Sequence, residues 1–404
     1  VSLRVPTTQG AGLGPQRRPD ASREIIRESL TSLRSHLGMQ VAFVGRFAGG
    51  RRVFEYVDAD STFYPISPGQ SDPLEETYCA RVTDGRIPEL IPDTAEVPAL
   101  QEIAATSLLP VGSHMSVPMR DENGEPFGTL CCFSTKADAG LRERDLEVLR
   151  MFGDLIGSHM QFLIAHEQAS RRARARIDRV IVRGGPRIAL QPIVNLVTGH
   201  TYGYEALSRF PAHRDWTPDR WFREAESLGL GPALEASALR ASFAHLPDLP
   251  EQTVMSVNVS AHALFEDPDI AAMFTASEYS AQVVLELTEH DQVDDYEGLD
   301  DLLGPLRRAG VRVAVDDAGS GYAGLDHILR LGPEVLKLDR ALVEGIGDHP
   351  GRQAMCEAMV RFTQRTGTML VAEGVETGRE LAALRDLGVL YAQGYHLGRP
   401  TIPD

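Results

Sequence analysis

Residues 311 to 326 read VRVAVDDAGSGYAGLD, and the stretch holds two chemistries that conflict. An apolar run with strand character ends on Asp316 and Asp317, two adjacent carboxylates. It then enters Gly319-Ser320-Gly321-Tyr322-Ala323-Gly324, which fits GxGxxG, with Asp339 about one helix further on. That is the outline of a dinucleotide-binding turn. Such a turn sets backbone N–H groups and a helix N-terminus against pyrophosphate, an anion that two aspartates would repel. Adjacent carboxylates suit another task, because two divalent cations roughly 3.5–4 Å apart need a ligand that bridges them. On this reading the glycines let the chain turn tightly beside the metals.

The same kind of group recurs at the ends of other apolar runs: Glu205, Asn258, Glu286, Lys337 with Asp339, Glu373 and Gln393. The runs are RIALQPIV, YGYEALSRF, TVMSVNVS, QVVLELTE, VRVAVDD, EVLKLD, TMLVAEG and LYAQGY, all after residue 180, and helical patterns such as ALEASALRASFAHL and RQAMCEAMVRFTQR lie between most of them. Eight strands alternating with helices fit a closed (β/α)8 barrel, although a doubly wound sheet needs the same alternation. The polar strand ends favour the barrel, where C-terminal ends converge on one mouth. Two carboxylates about 4 Å apart repel by roughly 4 kcal/mol at an effective dielectric of about 20. Five or more gathered there must be protonated or neutralised by cations. Oxygen ligands without Cys and with little His select Mg²⁺ or Mn²⁺.

In this order the residues resemble the EAL-domain family of cyclic-di-GMP phosphodiesterases, from about Pro186 to Pro400. The signature is Glu205-Ala206-Leu207 with Arg209, followed by VNVS, LELTE, VDDAGSGYAGL, LKLDR, VAEGVET and QGYHLGRP. Ala318 stands where the family usually has phenylalanine and Ser320 where it usually has threonine, and neither change removes a ligand. The resemblance implies a TIM-like barrel with two ions, Mg²⁺ or Mn²⁺, per site. Glu205, Asn258, Glu286 and Asp316 would hold the first ion, with Asp316 bridging to a second held by Asp317 and Glu373. Lys337 would touch the attacking water, Glu289 would anchor the glycine-bearing loop, and Gln393 would orient the water and Glu373. Arg209 and Leu207 would contact substrate, a structural ion pair being the other reading of Arg209, and Asp339 would assist as acid or base. Glu235 also matches a family position, with no chemistry assigned. The implied reaction is hydrolysis of cyclic di-GMP to linear pGpG.

The first part of the chain has another character. REIIRESLTSLRSHLG has helical spacing, and QVAFVGRF, RRVFEYV, SHMSVPM and PFGTLCCF read as strands, with Asn123-Gly124 marking a hairpin between the last two. An antiparallel sheet flanked by helices is expected. This half resembles a GAF domain, through LGMQVAFVGRF, EETYCARVTDGRIPELIPDT and VPMRDENGEPFGTLCCFS, which implies a sensor module of unknown ligand. Cys79 is open to a reactive or chromophore-binding role or to a plain structural one, and Cys131 and Cys132 should face opposite ways on their strand. The organisation expected is a disordered tail over 1–22, the GAF-like domain over 23–165, a connecting helix over 166–182 and the EAL domain over 183–404. That helix carries RRARARIDR, either a solvated face or a charged contact, and a homodimer through it and the EAL domain is expected.

The 404 residues carry a formal charge of −17 and are 43% hydrophobic, which suits a soluble globular protein and disfavours a nucleic-acid coat. Four cysteines make no disulfide framework, no apolar run is long enough for a membrane helix, and a reducing cytoplasm is the simplest home. HExxH, Walker A and GxSxG motifs are absent. Two other readings stand beside the phosphodiesterase: a non-catalytic cyclic-di-GMP receptor, and a nicotinamide-dependent oxidoreductase using GSGYAG.

Overall fold

This computed structural model describes residues 17–60, 66–100, 103, 110–210, 216–288, 295–318 and 324–403. The chain divides into two compact units between Ala169 and Ser170, and the helix Glu143–Val182 carries it from the first into the second. The connector expected over 166–182 is therefore the last part of a 40-residue helix. Among the described residues, no helix is long and apolar enough to cross a membrane.

The first unit is an antiparallel sheet of six strands: β1 (Val41–Ala48), β2 (Arg51–Ala59), β3 (Ser71–Pro73), β4 (Leu90–Ile91), β5 (Ser113–Arg120) and β6 (Pro126–Ser134), in the order β3-β2-β1-β6-β5-β4. Alternation along the strands sends side chains to two separate cores. Ala42, Val44, Val117, Leu130 and Cys132 pack with Ile26, Leu30, Leu149 and Ile156 of the two long helices. Val41, Phe43, Phe54, Cys131 and Phe133 pack on the other face with Cys79 of the helix Tyr78–Thr83. The hairpin at Asn123-Gly124 forms, with Gly124 in the left-handed region at φ 82°. The first helix begins at Arg17, so the tail expected to reach residue 22 is too long. Pro19 falls in the first turn, where a missing N–H costs nothing, and Ser22 is buried against His159, Oγ to Nδ1 3.1 Å.

The second unit is a closed barrel of β7 (Arg187–Asn195), β8 (Thr201–Arg209), β9 (Val254–Asn258), β10 (Val283–Thr288), β11 (Arg312–Ala318), β12 (Val335–Leu338), β13 (Met369–Ala372) and β14 (Tyr391–Ala392). Strand β7 runs antiparallel to both neighbours, β8 and β14, and the other pairings are parallel. The five residues from Leu196 to His200 reverse the chain between β7 and β8, too few for a crossover. Six strands each contribute one residue to an apolar plug of Ile193, Val254, Val284, Ala314, Val335 and Val371, which meet only inside the barrel. The outer strand faces pack against the surrounding helices through Val257, Leu285, Val313, Leu336 and Ala372.

Candidate active site

Period two along each strand makes the residue two places past the plug point inward as well, one layer nearer the mouth. Those residues are Glu286 after Val284, Asp316 after Ala314, Lys337 after Val335 and Glu373 after Val371. Glu205 stands likewise two places after Gly203, and on the reversed strand Gln191 lies two places before Ile193. An apolar floor with a polar layer above it follows directly from the sequence of each strand.

Lys337 is the centre of that layer. Its Nζ lies 2.8 Å from Glu286 Oε2, 3.2 Å from Asp316 Oδ1, 2.6 Å from Glu373 Oε1 and 3.6 Å from Glu205 Oε1. Lys337 and Glu286 are each 1% exposed. The Glu373 approach is an ion-pair contact without hydrogen-bond alignment, since that oxygen has no hydrogen-bond partner. Burial and the negative charge of Glu205 and Asp316, against the pull of Lys337, push Glu286 up to about 8. Glu373 is raised well above the carboxylate range, chiefly by burial. Burial alone would lower Lys337, but the four carboxylates outweigh it and hold the ammonium charged.

Gln393 Nε2 donates to Glu205 Oε2 at 2.5 Å and to Gln191 Oε1 at 3.1 Å, while Gln393 Oε1 and Glu286 Oε1 are buried without a hydrogen-bond partner. Asn258, exposed at the end of β9, donates Nδ2 to Glu205 Oε1 at 3.3 Å. Asp339 sits apart from the Lys337 group and caps the helix Arg340–Val343, accepting from the Ala341 N–H at 2.6 Å. Glu289 and the loop Gly319 to Ala323 lie outside the described residues, as does the Asp317 side chain.

A cavity of about 600 Å³ opens beside this group, lined by Glu205, Asn258 and Asp316 on one side and by Leu207, Arg209, Asp219, Phe222 and Arg223 on another. Its size suits a small-molecule ligand. Arg209 donates to the Ser208 carbonyl at 2.9 Å, and among the described residues no carboxylate pairs with it. Two residues gain a role that sequence reasoning did not assign. Gln191 holds Gln393, a link signalled only by the period-two position on β7. Glu235 accepts from the Ser260 N–H at 2.8 Å and from its hydroxyl, fixing the chain just after Asn258. The basic run has structural partners within the second unit. Arg176 stacks 4.2 Å from the Trp216 ring and pairs with Glu224, and Arg174 donates to the Leu228 carbonyl.

Among the described residues, no three His, Cys, Asp or Glu side chains are disposed to enclose an ion, because the Lys337 ammonium fills the space between the carboxylates. The donor set nevertheless fits hard divalent cations. Four carboxylates approach one point with a single positive charge among them, two are forced toward protonation, and buried amide and carboxylate oxygens lack partners.

Residues 174–400 match the model of the EAL domain and residues 21–161 that of the GAF domain. The chain is 32% identical over 220 residues to the cyclic di-GMP phosphodiesterase NbdA of Pseudomonas aeruginosa, covering 52% of this chain and 28% of that protein. It is 28% identical over 260 residues to the "Probable cyclic di-GMP phosphodiesterase PdeN" of Escherichia coli, covering 62% and 49%. It thus spans about half or less of the length of these relatives. Among solved structures, the Xanthomonas citri FimX EAL domain in complex with c-diGMP superposes with a TM-score of 0.53 at 20% identity, over 59% of this chain and 97% of that one. An EAL domain protein of Listeria monocytogenes gives 0.50 at 23%, over 55% and 92%. At these identities the two structures speak for the fold.

Proposed function

The chain belongs to the EAL-domain family, and from that membership we propose that it is a metal-dependent phosphodiesterase that opens one phosphodiester of cyclic di-GMP to give linear pGpG. The observation that carries this reading is the convergence of Glu205, Glu286, Asp316 and Glu373 on Lys337 beside a cavity of about 600 Å³. Glu205, Asn258, Glu286, Asp316, Asp317 and Glu373 would hold Mg²⁺ or Mn²⁺, two ions per site. When bound, the ions supply Lewis acidity toward phosphoryl oxygens and make water acidic enough to lose a proton near neutral pH.

The chain's own residues do the rest. Lys337 donates to the attacking water and balances the acidic layer. Gln393, fixed by Gln191 and Glu205, offers its unpartnered oxygen to orient that water. Arg209, with no competing carboxylate among the described residues, binds a phosphate of the substrate, and Leu207 packs against it in the same cavity. Asp339 keeps one oxygen on its helix cap and uses the other in proton transfer. Glu289 anchors the loop after Asp317. The GAF domain at 21–161 regulates the site through the helix Glu143–Val182, and the working form is a homodimer.

The test is cyclic di-GMP incubated with the full chain and Mn²⁺ or Mg²⁺, followed by chromatography for pGpG. Turnover abolished by chelator and by Glu205→Gln supports the proposal. Tight binding of intact cyclic di-GMP without hydrolysis under any metal condition would leave a receptor instead.

A further inference from the structure

In the first unit, two cysteines separated by 52 residues in sequence come together inside the protein. Cys79 Sγ lies 3.5 Å from Cys131 Sγ, and both side chains are fully buried. Their surroundings are polar. Arg52 Nη1 donates to Cys79 Sγ at 3.4 Å, while Cys131 Sγ lies 3.1 Å from Ser116 Oγ and 3.2 Å from Thr129 Oγ1. Arg52 is itself buried, stacked 4.0 Å from the Phe54 ring and paired with Asp72, and its Nε has no hydrogen-bond partner. The guanidinium therefore sets its positive charge against the Cys79 sulfur on one nitrogen while the other pairs with Asp72.

We propose that Cys79 and Cys131 form a peroxide-sensitive dithiol, oxidised to an intramolecular disulfide by hydrogen peroxide or a small hydroperoxide. Cys79 sulfur, as thiolate, attacks a peroxide oxygen. The O–O bond breaks, the distal oxygen takes a proton and leaves as water from hydrogen peroxide or as the alcohol from a hydroperoxide, and Cys79 becomes a sulfenic acid. Cys131 sulfur then attacks Cys79 sulfur, the S–O bond breaks, and the hydroxide leaves as water with the Cys131 proton. Two electrons pass from the sulfur pair to the peroxide, and no other reductant or oxidant is needed.

Several features assign these roles to the two sulfurs. The hydrogen bond from Cys131, against burial and with the Arg52 charge, draws Cys79 down to about 5, whereas burial and the Cys79 charge push Cys131 well up. Cys79 is thus the attacking sulfur and Cys131 the resolving one. A cleft of about 40 Å³ lined by Arg52, Phe54, Tyr78 and His114 reaches the guanidinium that touches Cys79. That volume exceeds what one water needs and leaves room for a small peroxide but none for a bulky disulfide. Closing the bond takes the sulfurs from 3.5 Å to about 2.05 Å. Cys132 is the internal control. It faces the opposite core, and burial pushes it beyond the range of an ionisable thiol at neutral pH.

The test exposes the folded full chain to hydrogen peroxide, blocks remaining thiols with iodoacetamide after denaturation, and maps peptides without reduction. The expected result is one disulfide linking Cys79 to Cys131, reversed by dithiothreitol, with Cys132 and Cys356 alkylated. In Cys131→Ser, the oxidation should stop at a sulfenic acid on Cys79, trapped by dimedone. Because the map on the unmutated chain needs no variant, misfolding of Cys131→Ser leaves the test intact. Recovery of both Cys79 and Cys131 as alkylated thiols overturns the proposal. So does a disulfide that pairs either of them with Cys132, Cys356 or a second chain.

Discussion

Lys337 donates to Glu286 across 2.8 Å, with each residue 1% exposed, and three more carboxylates lie within 3.6 Å of the same ammonium. One positive charge cannot satisfy four negative ones, and burial, with that excess added to it, raises Glu286 to about 8 and holds Glu373 well above the carboxylate range. On the proposed function the site exchanges protons for cations, so that stability and metal affinity would be properties of the same group of side chains.

Lys337→Met tests that coupling. Removing the one cation from a buried cluster should destabilise the metal-depleted chain by about 3–5 kcal/mol. Mn²⁺ should restore most of the loss, because the carboxylates are left with a stronger demand for positive charge. Thermal unfolding with Mn²⁺ and with chelator measures both effects. Equal destabilisation with and without Mn²⁺ would show that the acids do not gather a cation.

Acid sensitivity in the first unit should trace to His114. This residue is buried beside Tyr78, ring centroids 5.0 Å apart, its Nδ1 has no hydrogen-bond partner, and burial followed by the Arg52 charge lowers it to about 3. Its folded value lies below the unfolded 6.5, so the unfolded chain binds the extra proton between those limits. The contribution is complete above pH 6.5 and falls by up to about 1.4 kcal/mol per pH unit below it, until pH approaches 3. The difference in unfolding free energy between the unmodified chain and His114→Phe, followed from pH 7 to pH 4, should shrink as the pH falls. A constant difference would mean that His114 does not titrate in this way.

Much of the barrel was readable because each strand states its own direction. Val284 then Glu286, Val335 then Lys337, and Val371 then Glu373 repeat one pattern, apolar floor then polar mouth, at the strand period. Other features left no local signature. The reversal of β7 depended on reading NLVTGH as a short turn, and helix-strand alternation hides such a reversal. Arg176 resembled a solvated charge until Trp216, 40 residues away, supplied an aromatic face. The approach of Cys79 to Cys131 depends on how a short helix lies over the sheet, which composition and periodicity do not encode.

Glu235 should act through position. It holds the Ser260 backbone and hydroxyl, and Ser260 caps the helix Ala261–Glu266 two residues after Asn258. Glu235→Ala leaves those donors unsatisfied, at a cost of about 1–3 kcal/mol. It should also weaken Mn²⁺ binding through Asn258, with a smaller effect in Glu235→Gln, which keeps one acceptor oxygen. Calorimetric titration with Mn²⁺ on the three proteins separates the cases. Unchanged affinity alongside lowered stability would confine Glu235 to the fold.

Gly394 places the sharpest steric demand on the site. A Cβ there would lie 2.2 Å from both the backbone nitrogen and the carbonyl oxygen of Val375, a residue that bonds to the Gln393 carbonyl at 3.0 Å and follows Glu373 by two places. Only hydrogen fits between the chain ends that carry Glu373 and Gln393. Gly394→Ala must push those ends apart, and because backbone rather than a flexible side chain stands in the way, the strain reaches both proposed site residues. Overpacking of this kind costs about 1–3 kcal/mol. Displacement of positioned catalytic groups by about 1 Å costs on the order of a hundredfold in rate. Cyclic di-GMP turnover should therefore fall far more than stability does, read as kcat/KM beside the melting temperature. An alanine variant with ordinary turnover would show that the spacing of Glu373 and Gln393 has slack, and that the water they are proposed to orient is held by something else.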